Sequence, residues 1–381
     1  MKKFIKVLFN LLIPIAVGVM VGMFGVRFVV TTGEAVGEYE NTFNLFNVLL
    51  RLVVPFVSLF IAFYFHIIIH EAGHLIAGKL SGYKLVLFGV GNMAIIRDEG
   101  KLVCKKYGIV GAAGQCLMSP PEVADTQYKY PFIFYNLGGG LANILFSILF
   151  VIISFLTSGN ISMVFFVLSF VGILLGLINI IPLKLNGIAN DGLNILACCK
   201  RLESRRALWI QLKFVALVTQ GVRLCDMPQE WVENVGTPTD ALIGFLAVLR
   251  CSYHLDKGEI EQASDYAKSV IKSPGKMLEL HKNELQCELL FCNLIRGCQA
   301  EEVEKLYTAE LCKHIKALAT HLSKHRLMYA YERLYLKDEA KANKTLEIFE
   351  KSCLQTPFRG EIAGERELIE LVKRKCRGVY T

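Results

Sequence analysis

Leu52-Val53-Val54-Pro55-Phe56-Val57-Ser58-Leu59-Phe60-Ile61-Ala62-Phe63-Tyr64-Phe65-His66-Ile67-Ile68-Ile69-His70-Glu71-Ala72-Gly73-His74 decides how this chain reads. The run is apolar almost throughout and ends in an H-E-x-x-H pentapeptide. On a helix, His70 and His74 stand one turn apart on the same face, where both imidazoles can reach one zinc ion and Glu71 can take a proton from a metal-bound water. Ionisable residues inside a membrane span are costly and are functional by default. The plainer reading places the two histidines at a helix end near the headgroups, with Glu71 facing water.

The wider composition fits a membrane part joined to a soluble part. The chain has 381 residues, of which 53% are hydrophobic and 20% charged. Charges are sparse up to about residue 195 and dense beyond it. The net charge of +8 comes with no basic stripe interleaved with aromatics, so a nucleic-acid partner is not expected. The sequence predicts about four spans: Val7 to about Val30, about Phe46 to Leu80, about Phe132 to Leu156, and Ile161 to Leu183. The first is too long for a signal-peptide core.

Charge orients these spans. Lys2, Lys3 and Lys6 belong on the cytosolic side, whereas Thr31–Asn44 carries three glutamates and no basic residue. Residues 81–130 hold Arg97, Lys101, Lys105, Lys106 and Lys129 and return inside. The expected protein is multi-pass, with both termini in the cytosol. The twelve cysteines avoid both predicted outer loops, as expected for reduced cytosolic thiols.

A catalytic zinc takes three protein ligands and keeps a fourth position for water. Between Thr126 and Leu202 the only acidic residue is Asp191, in Asn190-Asp191-Gly192 just after the fourth span. It is either the third ligand or simply part of a turn or helix N-cap. His66 shares the face of His70 and His74, but eight residues span about 12 Å of helix. It is expected to be a buried hydrogen-bonding neighbour. A ligand role in place of His74 needs a bent helix.

On these elements the chain resembles the site-2 protease family of intramembrane zinc metalloproteases. The matching pieces are His70-Glu71-Ala72-Gly73-His74, Asn179-Ile180-Ile181-Pro182 with the later Asp191-Gly192, and Gly138-Gly139-Gly140-Leu141-Ala142-Asn143, within roughly residues 45–200. The resemblance implies that His70, His74 and Asp191 bind Zn2+ and that Glu71 is the general base. It further implies that Asn143, closing a glycine-rich helix start, positions substrate or stabilises the oxyanion. Asp191 stands farther from the proline than family members often place it.

Lys84–Val90, Met93–Arg97 and Lys101–Cys104 read as strands of a small β-hairpin at the membrane face, whose open edge an extended substrate can join. The apolar, glycine-rich stretch Gly108–Gln115 is expected to dip into the membrane where protein covers its backbone; the plainer reading of both pieces is a short membrane-associated cap. Residues 193–222 read as an amphipathic helix along the cytosolic membrane surface. Pro228 and Pro238 mark a boundary. Residues 239–377 then read as short amphipathic helices, and the pairs Leu242–His254 with Ile260–Ile271 and Leu327–Leu336 with Glu339–Cys353 resemble degenerate tetratricopeptide repeats without a strict period.

The predicted organisation is therefore mainly α. A membrane zinc metalloprotease domain occupies 1–200, a helix and linker 201–238, and a cytosolic helical repeat-like domain 239–381. The expected activity is hydrolysis of a membrane-spanning protein or hydrophobic peptide near the cytosolic face, with a protein partner for the helical domain. The alternative is a non-catalytic membrane adaptor. A transporter ranks third, for want of internal repeats.

Overall fold

The computed structural model describes residues 45–98, 100–107, 113–123, 126–185, 188–273 and 277–378. The expected first span, the loop before residue 45 and the stretch 108–112 lie outside them. Among the described residues the protein is mainly helical, with thirteen α-helices and a small antiparallel sheet. The chain divides into two compact units.

The first unit is built on α1 (Leu45–Leu80), α2 (Phe132–Leu156) and α3 (Gly159–Ile180). Each is long and apolar enough to cross a membrane. The 36 residues of α1 rise about 54 Å, well beyond a hydrocarbon core of roughly 30 Å. The polarity of this unit is inverted relative to a water-soluble bundle. Phe60, Leu145, Phe155 and Ile161 are exposed, while Ser58, His66, Asn143, Ser147, Ser154, Ser162 and Ser169 are buried. Apolar groups outside and hydrogen-bonding groups inside suit a lipid surround, where the hydroxyls of Ser147, Ser154 and Ser162 bond backbone carbonyls.

The second unit holds the sheet and the remaining helices. Strands β1 (Lys84–Val90), β2 (Met93–Asp98), β3 (Lys101–Lys106) and β4 (Gly114–Ser119) lie in the order β3-β2-β1-β4. The expected hairpin is thus part of a four-stranded sheet. Gly114 and Gln115, read as part of a membrane-dipping stretch, instead pair with Val90 and Gly89. Their glycine-rich, apolar composition suits a buried strand as well as a re-entrant loop. A register shift between Leu85 and Leu87 puts the consecutive residues Val86 and Leu87 both into the buried layer. Edge strand β3 is largely exposed and carries Lys101, Lys105 and Lys106, charges that discourage unwanted pairing.

Residues 193–222 are not one surface helix. α4 (Asp191–Lys200) stops at Arg201, and α5 (Leu202–Gln220) begins anew. Four consecutive residues, Ala207 to Ile210, are buried in α5, so it is covered all round rather than on one face. Trp209 Nε1 donates to the Pro121 carbonyl at 3.0 Å, and Lys213 pairs with Glu122. These contacts tie α5 to the segment leaving the sheet.

Eight further helices follow: α6 (Ala241–Asp256), α7 (Ile260–Lys272), α8 (Glu279–Arg296), α9 (Ala300–Leu306), α10 (Ala309–Ala317), α11 (Leu322–Ala330), α12 (Glu339–Gln355) and α13 (Arg359–Cys376). Asp240, Thr308 and Asp338 cap α6, α10 and α12 through their side chains. Leu285, Leu290, Phe291, Phe349 and Val372 lie in one shared core. Into it sinks Arg326, 2% exposed, bonded to Glu288 at 2.7 Å and Glu365 at 2.6 Å and stacked over the Phe291 ring. All twelve cysteines are free thiols.

Candidate metal centre

Helix periodicity sets His66, His70 and His74 along one face of α1. Glycines let that face come close to α2. A β-carbon on Gly73 would collide with the Gly138 carbonyl, and one on Gly138 with the Gly73 carbonyl and the Ala77 side chain. Gly139 matters most directly, because a β-carbon there would stand 2.6 Å from both His74 Nε2 and His70 Cε1. Gly138, Gly139 and Gly140 lie in the second and third turns of α2, not at its start; Gly139 makes room for the imidazoles, while Gly138 faces Gly73 and Gly140 faces Ile180.

The ligand atoms of His70, His74 and Asp191 converge. The two Nε2 atoms are 3.1 Å apart. Asp191 Oδ2 is 3.3 Å from that of His70 and 3.4 Å from that of His74. A tetrahedral ion with bonds of about 2.0–2.1 Å has ligand–ligand edges of about 3.3–3.4 Å. The donor set and its triangle therefore fit a small divalent cation. Orientation fits as well. His74 Nδ1 lies 2.8 Å from the Tyr135 carbonyl, which can only accept, so the neutral ring carries its hydrogen on Nδ1 and turns the Nε2 lone pair to the cluster.

Asp191 reaches this position through Asn190. The two-residue strands Lys184–Leu185 and Ile188–Ala189 pair antiparallel, and the Asn190 amide returns to the Leu183 carbonyl at 3.2 Å. Asn190 Oδ1 accepts from Leu183 N and Leu193 N. Its Nδ2 donates to the carbonyls of Ile178 and Ile181 at 2.5 and 2.6 Å. Asn190 is thus the N-cap of α4 and a clamp on the end of α3. That frees the Asp191 carboxylate, one residue inside the helix, to face the histidines. Gly192 is required beside it, since a β-carbon would strike the Ile180 carbonyl.

Glu71 lies within α1 beside the cluster, 8% exposed, and close enough for its charge to act on His74. Asn143 is fully buried, with its amide between His66 Nδ1 at 3.1 Å and His70 Nδ1 at 3.4 Å. His66 is also fully buried and bonds the Leu168 carbonyl through Nε2 at 2.8 Å. It stands outside the donor triangle. Sequence reasoning missed the Tyr135 carbonyl, which leaves no side-chain signature, and the clamp at Asn190, whose position before Asp191 signalled only a cap. Compared with known proteins, the chain matches no family model, no curated protein and no solved structure.

Proposed function

We propose that this chain is an intramembrane zinc metalloendopeptidase of the site-2 protease type. The donor triangle of His70, His74 and Asp191, with edges of 3.1–3.4 Å, carries the reading. Zinc held there would lower the pKa of a water and polarise the scissile carbonyl. Glu71, on the turn between the two histidines, would serve as the general base that accepts a proton from the attacking water and passes it to the leaving amine. Gly139 keeps the face of α2 low enough for the rings to stand side by side, and Asn190 holds the aspartate in register.

The substrate is a membrane-spanning protein or a hydrophobic peptide, cut near the cytosolic membrane face where its helix can unwind. Both termini of the protease are cytosolic and its spans number about four. The helical domain, with its likeness to tetratricopeptide repeats, offers a surface for a protein partner that presents or restricts substrate. The test is metal content beside cleavage. The chain purified in detergent should hold one zinc, Glu71→Gln should hold the same zinc without cleaving a single-span substrate, and Asp191→Ala should lose the metal. Product termini should map within or just beside the cytosolic end of the substrate span. Zinc binding with no cleavage of any membrane substrate favours the adaptor reading.

A further inference from the structure

His66, Asn143 and His70 form a buried chain whose hydrogens can be assigned by elimination. His66 Nε2 faces the Leu168 carbonyl at 2.8 Å, so that nitrogen must carry a hydrogen. If the Asn143 oxygen faced His66 Nδ1, the second ring nitrogen would need a hydrogen too. His66 would then be a cation, fully buried beside the rings of Phe65 and Phe150 and costly there. In that same orientation the Asn143 amide nitrogen would donate to His70 Nδ1. A neutral His70 would then hold its hydrogen on Nε2, the atom that points at Asp191 and His74. Both difficulties vanish when the amide is turned by 180°, which exchanges its oxygen and nitrogen without moving other atoms.

Resting on the metal-centre reading, we infer that His66 and Asn143 are positioning residues that set the tautomer of His70. Leu168 fixes His66 with the hydrogen on Nε2 and the lone pair on Nδ1. That lone pair accepts from the Asn143 amide nitrogen and so aims the Asn143 oxygen at His70. The oxygen accepts from His70 Nδ1, leaving the Nε2 lone pair for the ion. His70 is thus served by a side-chain relay and His74 by the Tyr135 carbonyl directly. Both nitrogens of the triangle then present lone pairs toward the space they share with Asp191, as metal ligands do. Space is reserved for this chain. A β-carbon on Gly172 would collide with His66 and with Ser147 Oγ, and Ser147 Oγ donates to the backbone carbonyl of Asn143 at 2.7 Å.

The experiment measures zinc affinity of the full-length chain in detergent by competition with a chromophoric chelator, and the Co2+ absorption spectrum of each variant. Asn143→Leu should weaken zinc about 10- to 100-fold, the usual cost of losing a ligand's outer partner. Asn143→Asp supplies an acceptor to His70 without a donor and should stay within about threefold of wild type. His66→Leu should weaken zinc about tenfold or more, and His66→Gln, which keeps a donor for Leu168 and an acceptor for Asn143, should restore most of it. Loss of zinc in Asn143→Asp together with retention in Asn143→Leu would overturn the assignment, as would equal affinity across all four variants. A wild-type chain that holds no zinc releasable by His70→Ala would overturn the metal centre itself, a result distinct from either.

Discussion

Gly139 and His74 touch so closely that a methyl group on the first would stand 2.6 Å from the Nε2 atom of the second. The cluster therefore exists only because position 139 lacks a side chain. Gly139→Ala should lower zinc occupancy at least tenfold, in the range seen when ligand orientation is lost, with helix content retained. Elemental analysis beside far-UV circular dichroism checks this. Full occupancy in the alanine variant would show that the rings have room to move.

Asn190 provides a second lever at a distance from the ion. Asn190→Ala removes the cap of α4 and the bonds to Ile178 and Ile181. The lost cap alone costs about 1 kcal/mol. Zinc affinity should fall about tenfold because Asp191 is no longer held, while Asn190→Asp, which keeps the cap acceptor but sets a carboxylate oxygen against the Ile178 and Ile181 carbonyls, should fall at least as far. Chelator competition ranks the three proteins. An alanine variant equal to wild type would leave Asp191 positioned by something else.

How far the sequence speaks depends on how local each relationship is. His70 and His74 are neighbours by helix geometry alone, so their pairing is legible from spacing. Asp191 was found by scarcity, as the one acidic residue in its region. The Tyr135 carbonyl and the Gly139 cradle depend on how α2 lies against α1, which no local pattern encodes. Strand β4 was missed because Gly114–Gln115 closes an apolar, glycine-rich stretch of ambiguous environment. The basic residues of 193–222 do not mark a surface helix, because Arg205 and Arg206 bond the backbone carbonyls of Cys198 and Trp231, contacts that no local pattern announces.

Orientation is testable at the break between α2 and α3. Ser158 is exposed and belongs outside under the proposed topology. Ser158→Cys should react with an impermeant thiol reagent on intact cells, while native Cys104, also exposed, should react only after permeabilisation. The reverse pattern would place the helical domain on the other side of the membrane.

The core of the second unit should respond to charge removal. Arg326→Ala leaves Glu288 and Glu365 buried without their cation and should destabilise by about 3–5 kcal/mol. Chemical denaturation followed by tryptophan fluorescence measures this, and zinc content should not change. A loss under 1 kcal/mol, by order of magnitude, would mean that the pair behaves as a surface contact.

Acidity gives a separate handle on the same domain. Burial, aided by Glu365, pushes the Glu361 carboxyl up to about 8 from an ordinary 4.5. The folded chain thus holds this proton more tightly than the unfolded chain. Its contribution to stability is fully present below about pH 4.5 and is lost as pH rises through about 8. Thermal midpoints should fall between pH 5 and 8.5, and Glu361→Gln should flatten that slope. An unchanged slope in the glutamine variant would assign the dependence to other groups.

The inverted polarity of the first unit changes what a mutation means there. In water, helices associate because apolar side chains leave the solvent, and trimming a large core residue such as Phe349 opens a costly void. Between lipid tails no such drive exists, and association rests on backbones that approach closely. Gly73 with Gly138, and Gly140 with Gly176, supply that approach. Drift in sequence should accordingly be tolerated on opposite terms in the two units. Outward Phe60 and Phe155 can exchange freely among apolar types, whereas one added carbon at a helix crossing separates the pair.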